Sequence, residues 1–191
     1  LAGVLIFEVL TGLLIAVIAS LAVLVWRASQ PKLSVLGRKS ETLEFSTVGQ
    51  DEGTSAIPGL FIVRPDESIF FANAAPIRDS IMASVHETQP TPKAVLLNLQ
   101  ATTDLDIPGA DMVAELHEDL EREGIELMLC HVHEDARGLL DRSGVEERIG
   151  AEHIFPRALG GMLAFLAKDS ASEAARREIV GDGLRRTREV V

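Results

Sequence analysis

The chain has 191 residues, 47% of them hydrophobic, yet its formal net charge is −11. The two values agree only once the chain is divided: residues 1–26 hold 21 hydrophobic side chains and one charge, Glu8, while the other 165 residues hold all 18 Lys and Arg and 28 of the 29 Asp and Glu. The acidic balance, the single Trp and the lack of Tyr exclude a nucleic-acid partner, and the single cysteine, Cys130, excludes an internal disulfide and a multi-cysteine metal site.

From Val9 to Trp26 no residue is charged. As a helix this run is about 27 Å long, close to the ~30 Å hydrocarbon core of a bilayer. Trp26 and Arg27 close it, and Lys32, Arg38 and Lys39 follow. An aromatic residue and then a basic cluster mark the cytoplasmic end of a spanning helix, which places everything after Arg27 in the cytosol. A signal peptide would carry its basic residues before the apolar run, and a core helix would not be apolar all round. Glu8 follows a second apolar stub, Gly3–Phe7, so a turn at Phe7–Glu8 is expected between the end of one membrane helix and the start of the next. The first residue is Leu, and the chain is expected to be part of a longer one.

Ser29–Gly59, with Pro31, Gly37, Gly49, Gly53 and Pro58, has the composition of a linker. Leu60–Val63 and Ser68–Phe71 are expected to be two short strands joined by a turn at Arg64-Pro65-Asp66-Glu67. Asn73 is placed to cap a helix whose Ile77, Ile81 and Val85 form one apolar stripe, and Pro90 and Pro92 end it. Lys93–Leu99 has the near-continuous apolar run of a central strand. The next helix starts near Pro108, buries Met112, Val113, Leu116 and Leu120, and ends at Gly124. Its other face carries Asp111, Glu115, Glu118, Asp119, Glu121 and Glu123 and is expected to be solvated. Ile125–Cys130 is a second buried strand, with Cys130 as an inert buried thiol. His133–Arg142 is a short helix with Leu139 and Leu140 inward, Ile154-Phe155 an edge strand, and Ala158–Ala167 an apolar-faced helix. The remaining residues form a polar tail. Strands alternating with helices imply a mixed sheet packed against helices.

The search for chemistry is mostly negative. The sequence contains no phosphate-binding glycine loop, nucleophile elbow or His-Glu-x-x-His, so no catalytic residue and no cofactor is expected. In an extended strand His131 and His133 share a face, but no third metal ligand is spaced to join them. The segment Thr102–Gly109 stands out because it joins a buried strand to a helix N-terminus, where Asp104 and Asp106 can accept backbone N–H groups.

The strand Ala94–Leu99, the Asp-x-Asp-x-x-Gly turn from Asp104 to Gly109 and the acidic helix after it resemble the signature of the STAS domain. That domain is shared by anion transporters of the sulfate permease (SulP) family and by bacterial anti-sigma-factor antagonists. Val9–Val17 is similar to the start of the final membrane helix of SulP transporters, and Arg27–Pro31 with Val35–Arg38 to their exit into the linker. Phe70–Ala74, Val132–Glu134, Leu139-Leu140, Ser143-Gly144 and Ile154–Pro156 match later landmarks, so the resemblance covers residues 1–168.

The resemblance implies a fold and an organisation. The fold is α/β, a STAS-type mixed sheet flanked by about four helices and preceded by one transmembrane helix. Residues 1–26 would end a membrane domain, 27–56 would link, 57–168 would form the STAS domain and 169–191 the tail. The implied protein is a sulfate- or bicarbonate-type anion carrier of the cell membrane with its STAS domain in the cytoplasm. Its partners would be the bilayer, anchored at Trp26 and Arg27, the rest of the membrane domain and a second copy of the chain. Asp104, Asp106, Pro108 and Gly109 would form the regulatory loop. The alternative is an anchored or stand-alone interaction module of the antagonist type. In antagonists a Ser or Thr just before the loop glycine is phosphorylated; here that residue is Pro108, which has no hydroxyl.

Overall fold

The structure is a computed structural model that describes residues 2–28, 30–39, 44–49 and 53–168. Helix α1 spans Ala2–Ala28. It runs unbroken through Phe7 and Glu8, so the expected turn there is absent: neither residue removes a backbone hydrogen bond, and Glu is a good helix former. Val9–Arg27 is long and apolar enough to cross a membrane, and none of it is buried.

The linker expectation is corrected next. Residues 27–56 contain three strands: β1 (Leu33–Lys39), β2 (Phe45–Thr47) and β3 (Thr54–Ser55). Residues 40–43 and 50–52 of that stretch lie outside the described residues. Strand β1 runs antiparallel to β4 (Leu60–Pro65), pairing Leu33 with Pro65 through Leu36 with Ile62. It therefore takes the place beside β4 that had been assigned to Ser68–Phe71. Those residues form no strand. Ile69 is fully buried and gives the run its strand-like pattern, but the backbone is turned. Asn73 accepts a hydrogen bond from Phe70 N through Oδ1 (2.8 Å) and donates to the Ser68 carbonyl through Nδ2 (3.0 Å). Asn73 stands at the cap position of α2 (Ala74–Glu87), but its side chain makes no bond to the helix.

From β4 onward the pattern is regular. Strands β4, β5 (Ala94–Asn98), β6 (Glu126–Cys130) and β7 (Ile154–Phe155) are mutually parallel, and the sheet order is β2-β1-β4-β5-β6-β7. The connections run through α2, α3 (Ile107–Arg122), and α4 (Glu134–Arg142) with α5 (Val145–Ile149). All four helices pack on one face of the sheet against Phe61, Val63, Val95, Leu97, Leu127 and Leu129. The alternate side chains, Leu60, Ile62, Leu96 and Met128, face α6 (Ala158–Lys168) alone. Gly161 allows that contact, because a Cβ there would lie 2.8 Å from Leu96 Cδ1. The fold is thus the expected mixed sheet with four helices on one side and a fifth on the other. The tail from residue 169 lies outside the described residues.

One acidic side chain is not on the solvated face. Asp119 is 9% exposed and joins α3 to α2 through Arg78, with Arg122 on its other oxygen. The preceding residue, Glu118, reaches Arg148 of α5 at 3.1 Å.

Candidate functional site

The loop between β5 and α3 is built around Asp106. Its Oδ1 accepts the Gly109 N–H at 2.9 Å, the N-cap bond of α3. Its Oδ2 accepts the Phe71 N–H at 2.7 Å, so the same carboxylate also holds the turn before α2. Pro108 fits the first turn of α3, where an N–H would have no helical partner. Gly109 is required by close approach: a Cβ would lie 2.6 Å from Leu105 Cδ1 and 3.1 Å from Asp106 Oδ1. Ser68 Oγ donates to the Ala101 carbonyl at 3.0 Å and ties the two loops a second time.

Of the four loop residues, the structure brings Asp106, Pro108 and Gly109 together at the helix start. Asp104 is exposed and makes no hydrogen bond or ion pair among the described residues. Thr102 is fully buried, whereas Thr103 is exposed. Two large apolar side chains flank the loop in the open, Phe71 at 72% and Ile107 at 68% exposure. Composition gave no sign of that pair, because the two residues are 36 apart in sequence and it is the tie between their loops, through Asp106 and Ser68, that brings the two segments together. At the other candidate site, Trp26 and Arg27 end the exposed apolar helix, with Trp26 64% exposed.

The histidines do not form the pair that strand alternation would place on one face. His131 has a positive φ of 55°, which ends the strand geometry, and His133 stands at the cap position of α4 with Nε2 3.1 Å from the Gln100 carbonyl. Among the described residues no group of three His, Cys, Asp or Glu could hold a metal. Burial pushes the Cys130 thiol up to about 12, consistent with a packing role.

Comparison with known proteins places this geometry. The family model of the STAS domain matches residues 54–158. Sulfate transporter 1.1 of Arabidopsis thaliana is 30% identical over 161 residues, covering 80% of this chain and 25% of that protein. High affinity sulfate transporter 2 of Stylosanthes hamata is 28% identical over 177 residues, covering 88% and 27%. The chain spans about a quarter of the length of these relatives. Among solved structures, the murine anion transporter Slc26a9 superposes with a TM-score of 0.71 at 22% identity, over 82% of this chain and 25% of that one. The STAS domain of a SulP transporter from Vibrio cholerae superposes with a TM-score of 0.52 at 20% identity, over 63% and 91%. The chain belongs to the STAS domain family and matches the C-terminal region of SulP/SLC26 sulfate transporters.

Proposed function

We propose that this chain is the regulatory and assembly end of a SulP-type carrier of sulfate- or bicarbonate-like anions. In this reading α1 is the last membrane helix, anchored at the cytoplasmic face by Trp26 and Arg27, and residues 57–168 are a cytoplasmic STAS domain. The anion path belongs to membrane helices beyond this chain, since one helix cannot enclose a midplane site. The observation that carries the reading is the wholly exposed apolar helix Val9–Arg27 joined directly to a STAS sheet. Such a surface is untenable in water and suits lipid or packed membrane helices. The matched sulfate transporters support it, because their likeness to this chain extends beyond the STAS match at 54–158.

The loop around Asp106, with Phe71 and Ile107 beside it, is the surface this reading offers to the membrane domain or to a second copy of the chain. The phosphorylation switch of antagonists is not expected to operate, since Pro108 lacks a hydroxyl and Thr102 is buried. The test is a chimera in which residues 9–168 replace the matching region of the Arabidopsis transporter. Sulfate uptake is expected to persist in the chimera and to be lost when 57–168 are deleted. Recovery of the 191-residue chain in the aqueous fraction without detergent would overturn the membrane assignment and leave an interaction module.

A further inference from the structure

Helix α6 covers only part of its face of the sheet. It packs over Leu60, Ile62, Leu96 and Met128, but the carboxyl ends of β4, β5 and β6 run past its N-terminus. Alternation puts Arg64 and Asn98 on this uncovered part. Between these strand ends, the start of α6 and the start of β2 lies a cavity of about 610 Å³. That volume falls within the roughly 300–1,000 Å³ of small-molecule sites, and the carboxyl end of parallel strands is where ligands of open α/β sheets bind.

The lining is chemically specific. Its polar groups are Arg64, Arg157, His131, Asn98, Gln100 and Glu44. Arg157 immediately precedes α6 and makes no ion pair among the described residues. Arg64 is partly balanced, with Nη2 3.3 Å from Asp66 Oδ1. The Nδ1 atom of His131 is buried without a hydrogen-bond partner among the described residues. His131 also holds the left-handed backbone of φ 55°, uncommon outside glycine and frequent at binding sites. The first N–H groups of α6, at Ala158 and Leu159, have no partner within the helix and add a partial positive charge. One carboxylate, Glu44, stands against these groups. Leu36, Phe45 and Leu159 add apolar surface to the lining.

We propose that this cavity binds a small organic anion, with its phosphate or carboxylate between Arg157, Arg64 and the N-terminus of α6 and its apolar body against Leu36, Phe45 and Leu159. His131 and Asn98 orient the ligand from the sheet side. The site is separate from the Asp106 loop, which faces the α2 and α3 side, and it does not depend on the transporter reading.

The test uses the full 191-residue chain in non-ionic detergent and phenyl phosphate as the probe, followed by calorimetric titration. Saturable one-to-one binding is expected, with a Kd at or below about 1 mM. Inorganic phosphate, which lacks the apolar body, is expected to bind several-fold more weakly. Arg157→Gln is expected to weaken phenyl phosphate about tenfold, since a charge-assisted contact is lost. Arg157 is exposed, so this variant should keep the parent's thermal midpoint without ligand. Arg64→Gln is a second variant expected to weaken binding, whereas Arg148→Gln, on the distant α5, should leave it unchanged. No saturable binding, or binding indifferent to both Arg157→Gln and Arg64→Gln, would overturn the proposal. Equal affinity for inorganic phosphate would overturn the assignment of an organic ligand.

Discussion

Asp106 shows how one carboxylate can hold two connections. It accepts two backbone N–H groups from segments 35 and 3 residues away, so its removal leaves both unpaired. Asp106→Ala is expected to lower the unfolding free energy by about 1–3 kcal/mol in urea denaturation. Asp106→Asn keeps one acceptor oxygen and should lose less. Two groups with shifted titration contribute to the acid response. The His131 imidazole is held below its ordinary pKa, first by burial and then by Arg157 and His133. The unfolded chain therefore takes up this proton first, and stability falls as the pH drops below the ordinary histidine range. The Glu146 carboxyl is held below its ordinary pKa, chiefly by its hydrogen bond from Arg137. Its contribution is present above the unfolded glutamate pKa and lost as the pH falls through the folded value. Both effects have the same sign, so the urea midpoint is expected to decrease between about pH 7 and pH 3, first through His131 and then through Glu146. A midpoint that rose on acidification would contradict both assignments.

Packing between elements depends on small and paired residues. Gly161 lets α6 approach the sheet, with room for no more than a hydrogen over Leu96. Gly161→Val is expected to push α6 outward and cost about 1–3 kcal/mol, read as a lower thermal midpoint. Asp119 is the corresponding polar joint, binding α3 to α2 through Arg78. In sequence it belongs to an acidic run that looks solvated, and its 3.6-residue phase places it at the margin of the buried stripe. Only the position of α2 turns that margin into an inter-helix ion pair. The stripes themselves were legible: Ile77, Ile81 and Val85 on α2 and Met112, Val113, Leu116 and Leu120 on α3 are buried as periodicity requires. The strand beside β4 was not. Ser68–Phe71 has the apolar content of a strand because Ile69 enters the core, whereas β1 is a short run amid turn-forming residues. Its pairing with β4 joins residues about 30 apart, a non-local contact that no local window contains.

At the scale of the molecule, the sheet is larger than the family match. Strand β1 lies before residue 54 and α6 almost wholly after residue 158, yet one covers the edge of β4 and the other packs over Leu60, Ile62, Leu96 and Met128 on the second face. A fragment of residues 57–158 is therefore expected to aggregate, with Leu60–Val63 on an open edge and Leu96 and Met128 bare. A fragment of residues 30–168 is expected to be monodisperse on size-exclusion chromatography. Equal behaviour of the two fragments would show that β1 and α6 are dispensable.

The sequence by itself determined the division between an apolar helix and an acidic domain, the alternation of strands and helices after residue 60, and the loop whose residues resemble the STAS signature. Composition, periodicity and turn chemistry are local properties, readable within a few residues. The tertiary structure decided that the segment before residue 57 completes the sheet and that Asp106 holds the turn before α2. It also decided that α6 leaves Arg64, Asn98 and His131 uncovered around a cavity. Each of these depends on contacts between distant parts of the chain, which pairing and packing create and no single segment encodes.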